Sequence, residues 1–538
     1  MTSVREKEYP AKTTEAEAVD VTLASLSAEV RGARALTLDS ARARAVEYQE
    51  RRGRLTARER IRLLVDPGSF QEVAGLARAS RGSPLMADAD TPADGVVVGS
   101  ANVASRPIVV VSYDFTVLGG SMGLINDEKF SRARELSIRN GVPLVLLLEG
   151  GGARINERMG SASIRGHERF ADLGRLSGWA PIISGVMGPS FAGHANLVAL
   201  SDFTVMLKGS AVGLAGPRLV EAATGEKVSQ EELGGSALHA RTLGSVELEV
   251  ETEVELIEAI KRYLSYMPDN ASMPVPRKDS TTTADSDRLP ESVYDLVPAR
   301  LERAYDMRKL VAMIADSDSV FELKPTFARN VITALARIDG HVVGIIANNP
   351  MFIAGVLDAK ASNKMARFIN LCDCYGISIV MLCDTPGYLV GSSSEREGIA
   401  RTSMRPLWEL AQATIPIATI VIRKAYGLAF HTMGGAEFHP YLHVCWPSAR
   451  VSPMGASGAV NIAFPEGPNN SAEDRAQILK SFLDAEHPMK AAEAGKIDDI
   501  IDPRETRQVL KTALGLVMSR PHPPVRWLPP KKRAISPT

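Results

Sequence analysis

Two short stretches combine residue types that let a bare backbone do chemistry. The first, "MGPSFAGHANLVALSDF" (187–203), puts Gly188, Ala192 and Gly193 where the apolar run "PIISGVM" should turn into a helix. The second, "RKAYGLAFHTMGG" (423–435), raises the same question, what a bare backbone could catalyse, more than 200 residues later. Small residues at a strand-to-helix turn leave successive backbone N–H groups without intrahelical partners, and the helix N-terminus adds partial positive charge. A pair of such donors forms an oxyanion hole, which stabilises negative charge developing on a carbonyl oxygen. Close packing of helix on strand would explain one such turn. Two turns, one per half and at the same point of a repeated pattern, point to function and would stabilise two enolate-like oxygens.

Other motifs carry weaker chemistry. "GGSMG" (119–123) matches the G-x-S-x-G nucleophile elbow, but "TVLGG" separates the strand core "IVVVSY" from Ser121, and an elbow is a sharp turn. The expectation is a loop in which Gly120 approaches a ligand or another backbone. "EGGGAR" (149–154) lacks the G-K-[ST] ending of a phosphate loop. Its Gly151 and Gly152 allow close backbone approach to something bound. "EHPMKAAEAG" (486–495) contains Met489-Lys490, as a biotin-carrier hairpin would, yet its flanks read as helix, so no covalent biotin is expected here. The four cysteines, Cys372, Cys374, Cys383 and Cys445, form no C-x-x-C pair and read as buried small hydrophobes. The nine histidines are scattered and suggest no metal site. His194 and His431 stand out because they lie inside the two turns.

The elements that must position these turns recur. Residues 1–25 are polar and read as disordered. The stretch "PVPRKDSTTTADSDRLPES" (274–292) has three prolines and few large apolar residues, a linker signature. It divides an N-terminal domain, 26–285, from a C-terminal one, 286–538. In the first, the helical "NDEKFSRARELSIRNG" precedes the strand and turn "VPLVLLLEGGGAR"; in the second, "ASNKMARFINLCDCYG" precedes "ISIVMLCDTPG". The next pair matches too: "LGRLSGWAPIISGVMGPSFAGHANLVAL" and "LWELAQATIPIATIVIRKAYGLAFHTMGG" share the order helix, strand, turn, helix. Short apolar β-branched strands alternating with helices predict buried, largely parallel sheet in two similar α/β domains related by duplication.

Bulk properties exclude several classes. The 538 residues carry a net charge of −1, so no broad basic surface and no nucleic-acid partner is expected. Apolar runs reach about seven residues, short of the roughly 20 that cross a membrane. The N-terminus has no apolar core of a secretory signal, and cysteine usage fits a reducing compartment, so the expected location is the cytoplasm.

From "RGRLTARERIRLLVDPGSFQE" (52–72) to "HPMKAAEAGKIDDIIDPRETRQVL" (487–510), the chain resembles the carboxyltransferase subunits of biotin-dependent acyl-CoA carboxylases, in the crotonase superfamily. Matches between these ends include "GGGARINE" (150–157), "TGEKVSQEELGGSALHA" (224–240), "DTPGYLVG" (384–391) and "WPSARVSPMGASGAV" (446–460). The resemblance implies two tandem crotonase-like domains of the ββα-superhelix kind. It implies an acyl-CoA bound mainly on the N-terminal domain and carboxybiotin on the C-terminal one, with biotin carried on a separate biotin carboxylase/carrier subunit and no metal in this one. Carboxybiotin releases CO2, its ureido oxygen becomes negative, the biotin anion takes the α-proton, and the acyl-CoA enolate attacks CO2. Substrate and cofactor supply base and nucleophile, which leaves the backbone to stabilise charge. Carried over by position, the thioester hole falls on Ala192 and Gly193 and the biotin hole on Leu428 and Ala429. The family also implies a homo-oligomer, a hexamer built as a trimer of dimers, with sites between chains.

The sequence departs from the family at these turns. The usual "CAGGA" is "SFAGH", "YGGAYD" is "YGLAFH", and "DSGGAR" is "EGGGAR". Phe191 adds bulk and His431 replaces an aspartate associated with acyl choice, so both are expected in substrate binding. The alternative reading is the reverse chemistry, a biotin-dependent decarboxylase or transcarboxylase subunit acting on a dicarboxylic acyl-CoA. A CoA hydratase or hydrolase would need a side-chain acid or base at the turn, such as Glu149 or His194.

Overall fold

The computed structural model describes residues 22–79, 84–157, 169–279, 287–465 and 471–518. The segment read as disordered lies outside the described residues up to residue 21. From Thr22, whose side chain caps the helix Leu23–Ala35, the chain is described as ordered structure. Part of the linker reading, 280–286, also lies outside the described residues.

Two sheets are built to one plan. The first holds β1 (Gln71–Val73), β2 (Val96–Val103), β3 (Arg106–Tyr113), β4 (Leu144–Gly150), β5 (Ile182–Phe191), β6 (Phe203–Leu207), β7 (Ala211–Gly213) and β8 (Leu248–Val250). The second holds β9 (Phe321–Leu323), β10 (Val331–Ile338), β11 (His341–Asn348), β12 (Ser378–Thr385), β13 (Ile417–Tyr426), β14 (Leu442–Cys445), β15 (Arg450–Ser452) and β16 (Asp499–Ile500). The order is β1-β2-β3-β4-β5-β6-β8 with β7 on β5, and then β9-β10-β11-β12-β13-β14-β16 with β15 on β13. The duplication is therefore strand for strand. It extends to side chains: Arg58 meets Glu72 at 2.8 Å, and Arg308 meets Glu322 at 2.7 Å, in corresponding places.

From β3 onward the pairing in the first sheet is parallel, and β4 is buried along its whole length, as a strand covered on both faces must be. The exceptions are the antiparallel pairs β1–β2–β3 and β9–β10–β11. Two-residue turns make the hairpins β2–β3 and β10–β11. Asp339-Gly340 has the positive φ values of a type I′ turn, and so has Ala104-Ser105, without a glycine.

One apolar core joins the halves. The helix Glu253–Tyr266 starts at a capping box between Thr252 and Glu255 and buries Leu256, Ile257, Ile260, Tyr263 and Leu264 at helical spacing. These residues cluster with Phe321, Phe368, Cys372 and Tyr375 of the second half. Phe203 stacks on Tyr263 with centroids 4.1 Å apart. Two further clusters fill the outer faces, one in each half.

Candidate active site

Three loops meet at the C-terminal edge of the first sheet. The Gly151 N–H donates to Gly119 O (3.1 Å), the Met122 N–H to Gly152 O (2.7 Å), and the Arg154 N–H to Met122 O (2.9 Å). Gly120 has φ +65, and a Cβ there would lie 2.2 Å from the Glu149 carbonyl oxygen. A Cβ on Gly152 would come within 2.8 Å of the Ala192 methyl. Gly120, Gly151, Gly152, Phe191, Ala192 and Gly193 are thus brought together. Arg154 braces the group from below, 2.5 Å from Asp94 and 2.7 Å from Glu157, and donates to Ser121 O at 3.0 Å. Ser121 donates to Leu118 O, so it stands in a loop that approaches another backbone rather than at a nucleophile elbow.

The turn itself differs from expectation in one donor. Ala192 sits at φ 52, ψ −114, a region normally left to glycine, and opens the helix Gly193–Ala199. Its N–H donates to Gly213 O at 2.9 Å. The reading of Ala192 as a free donor is therefore corrected: the β5–β7 ladder runs one residue past the strand and occupies it. Among the described residues the N–H groups of Gly193 and Gly152 have no protein acceptor. Phe191 is buried, its ring 3.2 Å from where a Cβ on Gly213 would stand and 3.6 Å from one on Gly216. It forms a wall under residues 213–216.

In the second half, β13 ends at Tyr426 and the helix Gly427–Thr432 follows, with Gly427 at φ +56. The N–H groups of Leu428 and Ala429 have no acceptor among the described residues. Phe191 pairs with Gly213 on β7, and Tyr426 pairs with Ser452 on β15. Ala192 therefore matches Gly427, Gly193 matches Leu428, and His194 matches Ala429. The N-terminal counterpart of the Leu428–Ala429 pair is Gly193–His194, one residue further on than expected. The His194 ring is fully buried, edge-on to Tyr113 at 4.4 Å. His431 lies on the Leu428 helix, half-exposed, with Nδ1 3.1 Å from Glu437 Oε1. It belongs to the second turn and Phe191 to the first.

The carboxylate candidate at the first turn already has a partner. Glu149, fully buried, is 2.7 Å from Arg60. Its carboxylate is thus already engaged by a guanidinium, with Arg60 Nη2 donating to Oε2. Behind each site a lysine serves the backbone. Lys129 donates to Ala93 O at 2.7 Å, and Lys364 to Val331 O (2.7 Å), Phe327 O (2.9 Å) and Lys324 O (3.0 Å). Burial pushes Lys129 down to about 8 and Lys364 to about 7. His439 and His443 do stand at H-x-x-x-H spacing, which the sequence reading passed over. His443 lies on β14, so they share no helix face, and among the described residues no group of three or more His, Cys, Asp or Glu could hold a metal ion. Lys490 lies on the helix Pro488–Glu493, paired with Glu493, as expected for a stretch that is not a carrier hairpin.

The carboxyl transferase domain family matches residues 48–532. The chain is 36% identical over 483 residues to the methylmalonyl-CoA carboxyltransferase 12S subunit of Propionibacterium freudenreichii subsp. shermanii, covering 89% of this chain and 91% of that one. It is 35% identical to the biotin-dependent acetyl-/propionyl-coenzyme A carboxylase beta5 subunit of Mycobacterium tuberculosis, covering 100% of each. The solved transcarboxylase 12S structure with methylmalonyl-coenzyme A and methylmalonic acid bound superposes with a TM-score of 0.89 at 33% identity, over 96% of this chain and 98% of that one. With two matching sheets, two matching turns and this full-length likeness, the chain belongs to the carboxyl transferases of the biotin-dependent acyl-CoA carboxylases.

Proposed function

We propose that the chain transfers a carboxyl group to the α-carbon of an acyl-CoA, and that its own contribution is two sets of backbone donors. The observation that carries this is the duplicated strand-to-helix turn, with unpartnered N–H groups at Gly193 in one half and at Leu428 and Ala429 in the other. The Gly193 N–H, beside that of Gly152, holds the thioester oxygen. Leu428 and Ala429 hold the ureido oxygen of carboxybiotin, which a separate carrier subunit brings and which supplies the carboxyl group. Unpaired donors at a helix start fit such an oxygen. Each donor is worth about 3–4 kcal/mol when aimed at developing charge. Gly151, Gly152 and Phe191 frame the acyl side, and His431 faces the biotin side.

The working form is a homo-oligomer in the cytoplasm. The solved 12S relative is described as a hexamer assembly. Among the described residues no helix is long and apolar enough to cross a membrane.

The test is co-purification with the biotin-bearing partner, followed by transfer of labelled carboxyl to a panel of CoA esters. Gly193→Pro removes one donor at a helix position that tolerates proline. It should lower kcat about 100-fold or more while native mass stays a multiple of two chains. Near-normal turnover in a folded Gly193→Pro protein would refute the assignment.

A further inference from the structure

The strand pairings align the two half-sites residue by residue. Leu144 faces Ile182 and Ile379 faces Ile417, so Glu149 stands where Asp384 stands. Phe191 and Tyr426 correspond, so Gly188 stands where Arg423 stands. The helices Ala57–Leu64 and Met307–Ile314, aligned by their Arg58–Glu72 and Arg308–Glu322 pairs, set Arg60 opposite Leu310.

In the second half Arg423 reaches from β13 to Asp384, Nε to Oδ2 at 2.8 Å, both fully buried. Its Nη1 donates to the carbonyls of Arg303, Pro298 and Arg300. Leu310 is buried in an apolar cluster. In the first half all three positions are exchanged together. The carboxylate is one methylene longer, the strand arginine has become Gly188, and the helix leucine has become Arg60. A Cβ on Gly188 would come to 2.7 Å from both Cγ and Oε1 of Glu149. Glu149 thus fills the room an arginine stem takes in the other half. Its counter-charge comes from the helix instead of the strand: Arg60 Nη2 donates to Glu149 Oε2 at 2.7 Å, and Arg60 also holds Glu253 through Nε at 2.8 Å and Nη2 at 2.9 Å. Arg52 stands 3.0 Å from Oε1, outside hydrogen-bond geometry, so that contact is coulombic.

A buried carboxylate without counter-charge is strongly disfavoured, and each half meets this with a fully buried arginine, Arg60 on Glu149 and Arg423 on Asp384. The exchange keeps the pair and moves its source. Glu149 directly precedes Gly150–Gly152 and packs on Gly188, on the strand that leads to Ala192 and Gly193. We propose that Gly188, Glu149 and Arg60 form one relocated unit of positioning residues. The unit sets the spacing between the ends of β4 and β5 and thereby aims the Gly193 N–H. This role rests on the assignment of that turn to the thioester.

The test uses the full chain with its biotin-bearing partner and four proteins beside wild type: Gly188→Ala, Glu149→Asp, the double variant, and Glu149→Gln. Native mass and melting temperature establish folding. Gly188→Ala should lower kcat/KM for acyl-CoA by about tenfold to 100-fold, as a displacement near 1 Å does. KM for the carboxybiotin partner should stay within about twofold, because the second turn keeps its own Asp384–Arg423 pair. The double variant, whose shorter carboxylate clears the new methyl, should recover at least about threefold over Gly188→Ala. Glu149→Gln, which keeps shape and loses charge, should also lose activity toward acyl-CoA selectively. A double variant no better than Gly188→Ala would overturn the proposal, and so would a folded Glu149→Gln protein with unchanged kcat/KM. A wild-type complex that carboxylates no CoA ester would instead overturn the assignment of the turn, and with it this role.

Discussion

Gly119 and Gly120 provide a matched pair of substitutions. Both have positive φ, +64 and +65. A Cβ on Gly119 meets nothing within 4 Å, whereas one on Gly120 would lie 2.2 Å from Glu149 O and 3.0 Å from Gly150 Cα. Ordinary contact begins near 3.5 Å, so Gly120→Ala must push the end of β4 away by about 1 Å. That backbone carries Gly151 and Gly152 against Ala192. A shift of about 1 Å in positioned groups costs on the order of 100-fold in rate, or about 2.7 kcal/mol of barrier. Gly119→Ala meets only the left-handed penalty of about 1–2 kcal/mol in stability, with no displacement. The assay is kcat/KM for the preferred acyl-CoA in the complete complex, alongside thermal unfolding of each variant. Gly120→Ala should lose about two orders of magnitude, and Gly119→Ala should stay within about twofold. Equal losses in the two, or full activity in a folded Gly120→Ala protein, would refute the reasoning that this close approach positions the site.

Two further outcomes are expected. Ala192→Gly keeps the backbone donors and relieves about 1–3 kcal/mol of strain, against about 0.4–1 kcal/mol lost through the freer unfolded chain. It should gain about 1 kcal/mol in urea titration with turnover nearly unchanged, and a clear destabilisation would contradict the strained geometry. Lys364 is pulled down to about 7 by burial. Between pH 7 and about 10 the unfolded chain then binds more protons than the native state, so this lysine makes stability rise with pH over that window. Lys364→Met should flatten that slope in pH-dependent unfolding, and an unchanged slope would show that Lys364 does not titrate there.

The sequence alone determined the duplication, because helix period and apolar strand runs are local properties that recur in order. The class of chemistry was legible in the resemblance of the quoted motifs to carboxyltransferase subunits, and the small residues at the two strand-to-helix turns marked where donors could lie. Ser121 was legible as a non-nucleophile from its distance to the strand. The β10–β11 hairpin could have been read from Asp339-Gly340. The β2–β3 hairpin, turned by Ala104-Ser105, carries no glycine signal. Only the tertiary structure decided which donors are free. The Ala192 N–H is taken by a carbonyl on β7, which returns later in the chain to pair with β5. Only it placed His194 opposite Ala429, because register is a property of paired strands. Likewise, Glu149 finds its guanidinium on a helix 89 residues earlier in the chain. Local periodicity is written in neighbouring residues, whereas ownership of a hydrogen bond or a counter-charge is settled by which distant segments pack together.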